Sequence, residues 1–156
     1  MPSPDHDEVL ATVDTFIAAF VSGPGVVDGA VRLRGVLDPG AVIVRAGDAA
    51  PTTYSVDTFV EPRVELLQSG ALEDFREWVT GARVDLSGDI AQVWCTYAKE
   101  WVADGERQQG NGTKSIQLVR TRDRWRITAV VWEDERPGLR VQEPRPSDPQ
   151  GQPPGQ

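Results

Sequence analysis

This chain has only two lysines, Lys99 and Lys114, beside fourteen arginines, and both fall inside β-patterned segments and not in loops. Glu77, Tyr97 and Asp134 lie in the same kind of segment, and Arg63 interrupts an apolar helical stretch. Polar groups embedded in apolar patterns have two physical uses. They form surface ion pairs worth less than about 1 kcal/mol, or they converge in an apolar pocket, the usual anatomy of a small-molecule site. In the second case Glu77 or Asp134 would serve as a base, and Lys114 or Tyr97 as its electrostatic partner. Tyr54, Arg63, Tyr97, Lys99 and Trp132 would line such a pocket. Meander pairing would make Glu77 and Lys99 cross-strand partners, and would bring Lys99 and Lys114 together with an acid between them.

Other chemistries find little support. The one histidine, His6, lies near the N-terminus, so neither a histidine-based metal site nor a Ser-His-Asp or Cys-His nucleophile can be assembled around it. Glu133, Asp134 and Glu135 are consecutive on a strand pattern and point to alternate faces, which spoils chelation by all three. No metal and no cofactor is expected. Cys95 reads as a small core residue. Asp14 sits on a solvated helix face, and Asp38 precedes Pro39-Gly40 as a turn residue. Gly110 to Ser115 lacks phosphate-loop spacing, because Thr113 intervenes before Lys114 and a β pattern follows instead of a helix. Arg120, Arg122, Arg124 and Arg126 crowd one hairpin tip and read as a solvated turn balanced by Asp123.

The elements that must position these residues follow from periodicity. The chain has 156 residues, enough for one domain, with 24 acidic and 16 basic residues and a formal net charge of −8. That balance argues against a nucleic-acid partner, which calls for a basic face. No run approaches the roughly 18 apolar residues of a membrane span, and the acidic N-terminus does not resemble a secretion signal. A cytoplasmic protein is expected. Residues 1–8 and the Pro/Gly-rich 137–156 read as disordered tails around a single domain at 9–136.

Apolar spacing predicts a helix from Val9 to Phe20, a shorter one around Val31 to Leu37, and a third from Phe59 to Leu67, with a break near Pro62. Ala41 to Val44 reads as a strand. From residue 71 the period becomes two, predicting strands at about 71–86, 90–103, 112–121 and 124–134 with a bend at Gly81. Helices followed by a meander imply an α+β layer fold. Both sheet faces are half apolar: Trp125, Ile127, Ala129 and Val131 fall on one, Val130 and Trp132 on the other. One face would meet the helices and the other a second copy of the chain, giving a homodimer through the sheet.

Gly88-Asp89-Ile90-Ala91-Gln92-Val93-Trp94 with Tyr97, then Gly112 to Arg120, then Trp125-Arg126-Ile127 with Trp132 to Arg136, resemble the nuclear-transport-factor-2-like (NTF2-like) superfamily. Within it the chain looks most like the bacterial SnoaL-like, polyketide-cyclase-like domains of unassigned function. The resemblance implies a conical α+β barrel of the cystatin-like type, three N-terminal helices packed on a strongly curved antiparallel sheet, and a homodimer. It is nearly silent on activity, since the superfamily holds isomerases, dehydratases, cyclases and non-enzymes. The isomerase trio of an aspartate base, a tyrosine and a protonated acid finds no secure match here. Two readings stand: an apolar pocket for a small molecule, with or without cofactor-independent lyase, isomerase or cyclase chemistry, and a non-catalytic dimeric interaction module.

Overall fold

The computed structural model describes residues 3–47 and 50–145. Three helices precede most of the sheet: α1 (Pro4–Ala18), α2 (Val26–Val36) and α3 (Val56–Gln68). Six strands make one sheet: β1 (Leu37–Arg45), β2 (Thr52–Tyr54), β3 (Glu73–Ser87), β4 (Ile90–Ala103), β5 (Glu106–Thr121) and β6 (Arg124–Asp134). The strand order is β2-β1-β6-β5-β4-β3, with β2 and β3 at its two edges. All neighbours are antiparallel except β1 and β6, which run parallel. Tight hairpins join β3 through β6, whereas the parallel pairing needs a long connection, here the whole α3–β5 span. This is the expected α+β fold. No helix is long and apolar enough to cross a membrane among the described residues.

The core lies between the helices and one face of the sheet. Val9, Val13, Phe16 and Ile17 of α1 are buried at helical spacing, against Val93, Cys95, Ile116 and Ile127 of the strands. Cys95 is fully buried, as its type suggests. Burial pushes its thiol up to about 12, so it stays protonated.

Several expectations are corrected. Helix α1 begins at Pro4 and not Val9, taking in residues assigned to a tail. Ser3 caps it by accepting the His6 N–H, Pro4 is preorganised for the first turn, and Asp5 and Asp7 meet the positive end of the helix dipole. Pro62 does not break α3. It withholds the N–H that would reach Thr58, while the Arg63 guanidinium donates at 3.0 Å to the next carbonyl, that of Phe59. A Ser55–Thr58 capping box fixes the start of the helix.

Of the register shifts in the sheet, two lie in the middle of long strands. Between Val79↔Tyr97 and Gly81↔Thr96, β3 advances two residues while β4 advances one. The bend expected at Gly81 is therefore a bulge carrying Thr80 as its extra residue. Between Gln117↔Ala129 and Leu118↔Ile127 the extra residue is Thr128, on β6. This second bulge reverses the alternation halfway along β6. Trp125 and Ile127 face the core, then Val130 and Trp132 do, while Val131 is exposed. A strict period of two had put Val130 and Trp132 on the opposite face from Ile127.

The stretch from Glu106 to Asn111, which falls between the predicted strands at 90–103 and 112–121, is itself strand; the turn is only Asp104-Gly105, both with positive φ. Residues 137–145 also carry structure. Pro137-Gly138 turn the chain at an Arg136↔Leu139 bridge, Gly138 having φ +88°. Residues 139–145 then return along the outer face of the sheet. Of the expected tails, 1–8 and 137–156, residues 1–2 and 146–156 lie outside the described residues.

Candidate functional site

The adjacent strands β4, β5 and β6 align Tyr97, Gly112 and Asp134 in one row. A Cβ on Gly112 would collide with the Tyr97 hydroxyl and stand 2.7 Å from the Glu133 carbonyl oxygen. Because no side chain stands there, the Tyr97 phenol crosses β5 and donates its proton to Asp134 Oδ1. One row over, Lys99 pairs with Gly110, where a Cβ would come within 2.9 Å of Lys99 Cε. The lysine stem passes over that gap, and Nζ donates to the same Oδ1 at 3.1 Å. Gly110-x-Gly112 is thus a paired notch in β5 through which two side chains reach one carboxylate. The predicted strand begins only at residue 112, which leaves Gly110 outside it; the spacing of two between the glycines was the available signal.

Glu77 lies opposite Lys99 in register, as expected, but its ion-pair partner is Lys114. Lys114 Nζ stands 4.3 Å from the centre of the Tyr97 ring and 3.1 Å from Glu77 Oε2. Both side chains are deeply buried, 6% and 7% exposed. The rings of Phe16, Phe20 and Trp132 complete an aromatic surround for the ammonium at 5.6–5.9 Å. The contact is an ion pair off hydrogen-bonding geometry, so Glu77 Oε2 makes no hydrogen bond among the described residues.

Burial alone would raise the Asp134 carboxyl, but the Tyr97 hydroxyl and the Lys99 and Lys114 ammonium groups outweigh it and hold it below the usual carboxylate range. Burial, followed by the bond to Asp134, pushes the Tyr97 phenol far up, so it remains a proton donor. Trp132 and Tyr54 stack at 6.0 Å, and the Arg63 guanidinium lies 4.0 Å from the Phe59 ring centre and 5.3 Å from the Tyr54 and Trp132 centres. Burial lowers the Arg63 guanidinium from its ordinary value, partly offset by the Tyr54 hydroxyl.

These groups surround a cavity of about 250 Å³ between α3 and the inner face of the sheet. Arg63, Glu77, Tyr97, Lys99, Lys114, Trp132 and Asp134 all line it. Tyr54 does not; it backs Arg63 and Trp132 from outside. Among the described residues no three His, Cys, Asp or Glu side chains gather at one point. Glu133, Asp134 and Glu135 diverge, Glu133 to Arg136, Asp134 into the cavity and Glu135 to the Val141 N–H. A larger groove of about 760 Å³ runs on the outer face between the sheet and residues 139–145, but neither of the buried charged residues, Glu77 and Lys114, lines it. Asp38, expected in a turn, lies instead in the first residues of β1, where its carboxylate accepts the Gly40 N–H; Asp14 is on α1, its carboxyl raised by desolvation.

No protein-family profile and no curated protein matches the sequence. Solved structures share its architecture. A protein from Kribbella flavida superposes with a TM-score of 0.68 at 19% identity, covering 85% of this chain and 91% of its own. An NTF-2-like protein of unknown function from Silicibacter pomeroyi gives 0.59 at 18% identity, over 86% and 100% of the two chains. A candidate scytalone dehydratase from Novosphingobium aromaticivorans gives 0.66 at 9% identity, over 93% and 94%.

Proposed function

We propose, from the fold this chain shares with NTF2-like proteins, that it binds a small, largely apolar molecule in the cavity. There it moves a proton on that molecule, as an isomerase, lyase or cyclase does. The observation that carries this reading is Glu77: a deeply buried carboxylate that lines the cavity, 3.1 Å from the Lys114 ammonium. A carboxylate on the cavity wall is a group to which a substrate proton can pass.

The neighbouring groups divide the remaining work. Asp134 already accepts two hydrogen bonds and is held ionised, which makes it a poor base and a good anchor. Tyr97 spends its proton on Asp134 and so positions the row. Lys114 is the electrostatic partner. As Glu77 takes a proton from the carbon next to a carbonyl, the carbonyl oxygen becomes an oxyanion and the Lys114 ammonium neutralises it. Glu77 then delivers a proton, the one it took or one exchanged with water, to the same or another carbon, or to a departing hydroxyl. The step balances without any co-reactant. The likeness to a candidate scytalone dehydratase is compatible with this class of reaction.

The test begins with a thermal-shift screen of the full chain against hydrophobic carboxylates, polyketide-like ketones and steroids. Ketone hits are then incubated in D2O and followed by proton NMR. The wild type should exchange the protons beside the carbonyl and Glu77→Gln should not. A flat screen, or equal exchange by Glu77→Gln, overturns the reading.

A second reading has its own observation. Trp78 and Trp94 are exposed on the outer sheet face, Trp94 at 52%, with Val131 beside them. An interaction module would use that face, through a homodimer. Sedimentation equilibrium of the wild type and Trp94→Glu tests it: a dimer lost on substitution supports the module's interface, and a monomeric wild type removes it.

A further inference from the structure

We infer that the ligand of this cavity is an anion, a one- or two-ring carboxylate, and that Arg63 receives its carboxylate. The inference rests on the reading of the cavity as a small-molecule site and adds the chemical class.

Charge gives the first reason. The wall carries Arg45, Arg63, Lys99 and Lys114 against Glu77 and Asp134, an excess of two positive charges in a chain whose formal net charge is −8. Lys114 is matched by Glu77 and Lys99 by Asp134. That leaves the two arginines. Among the described residues no carboxylate stands within ion-pair distance of Arg63, although its side chain is largely withdrawn from water. A guanidinium in that position lacks its counter-ion, and a ligand carboxylate would supply it.

Geometry gives the second reason. Phe59, Tyr54 and Trp132 all contact the guanidinium through their rings, and one nitrogen is bound to the Phe59 carbonyl. The rings and the Phe59 carbonyl confine the guanidinium from several sides, and a guanidinium has more N–H donors than these partners use, so donors remain for a ligand carboxylate. Arg45 and Glu77 both act electrostatically on Arg63, with opposite signs, and Glu77 is already paired with Lys114.

Size and lining give the third. About 250 Å³ falls just under the roughly 300–1,000 Å³ of drug-sized sites. Phe20, Phe59, Phe75, Trp101 and Trp132 supply an aromatic wall for the rest of the ligand. A flat ring bearing one carboxylate matches this wall and charge.

The experiment titrates the full-length protein by calorimetry with two isosteric pairs, cinnamate against cinnamamide and 2-naphthoate against 2-naphthamide. At least one acid should bind, and its amide should bind at least about tenfold more weakly, the effect of one lost charge-assisted contact. Arg63→Met should abolish that discrimination while circular dichroism and Tm stay close to wild type, and Arg63→Lys should restore part of it. Equal binding of acid and amide, or discrimination that survives Arg63→Met, overturns the inference and leaves the cavity as a neutral-ligand site. Binding of neither class, with a flat screen besides, overturns the cavity reading itself.

Discussion

Removing one member of the Glu77–Lys114 pair should cost far more than removing both. The two side chains are 6% and 7% exposed and 3.1 Å apart, so a substitution at either leaves its partner's charge poorly solvated. A buried charge deprived of its partner costs about 3–5 kcal/mol, whereas replacing a buried pair by apolar groups of similar volume is often neutral. In a domain of this size each kcal/mol shifts Tm by roughly 2–4 °C, so each single variant should lose about 6–20 °C. The structure further predicts an order. Glu77→Met strands an ammonium that still faces four aromatic rings, the nearest 4.3 Å away. Lys114→Met strands a carboxylate with an oxygen that makes no hydrogen bond. Lys114→Met should therefore be the worse of the two, and Glu77→Met/Lys114→Met should recover most of the loss. The assay is urea unfolding of all four proteins, read as a double-mutant cycle. Single variants that each cost under about 1 kcal/mol and add in the double would refute the reasoning, because they would describe a water-screened surface bridge.

Three further outcomes are expected. Gly112→Ala should destabilise by about 3 kcal/mol or more in urea titration, because the clash includes the Glu133 backbone, which cannot swing away. Asp134 is held below its ordinary value of 3.8 in the native state, so its contribution is complete above that value and fades as pH falls below it. Acid titration followed by circular dichroism should show a shallower stability loss below pH 3.8 in Asp134→Asn than in wild type. Cys95, fully buried with its thiol pushed up to about 12, should resist iodoacetamide at pH 8 in the native protein and react on unfolding, as mass spectrometry will record.

The order of helices and strands was legible because it rests on local periodicity, and so was the bend at Gly81. The gathering of Glu77, Tyr97, Lys99, Lys114 and Asp134 was legible too, since a charged residue inside an apolar pattern is conspicuous in any register. The partners within that group were not. Which acid meets which lysine depends on side chains crossing rows, and that depends on Gly110 and Gly112 being part of a strand. Thr128 is an ordinary strand residue, and nothing local marks it as the extra one in β6. The parallel seam between β1 and β6 joins segments more than eighty residues apart, beyond the reach of periodicity. Ser3-Pro4 is a helix-start signal present in the chain, and it was masked by the acidic, proline-flanked composition around it.

The wall behind the cavity is one strand thick. Thr96 on its outer side accepts a hydrogen bond from the Thr80 hydroxyl at 2.7 Å and lies 3.4 Å from Glu143 Oε2, over the bare backbone of Gly81. Cys95 and Tyr97, its immediate neighbours in the chain, point inward. Exterior and interior therefore share the same peptide bonds at this spot. The returning segment outside and the Tyr97 phenol inside thus flank one short stretch of β4 backbone.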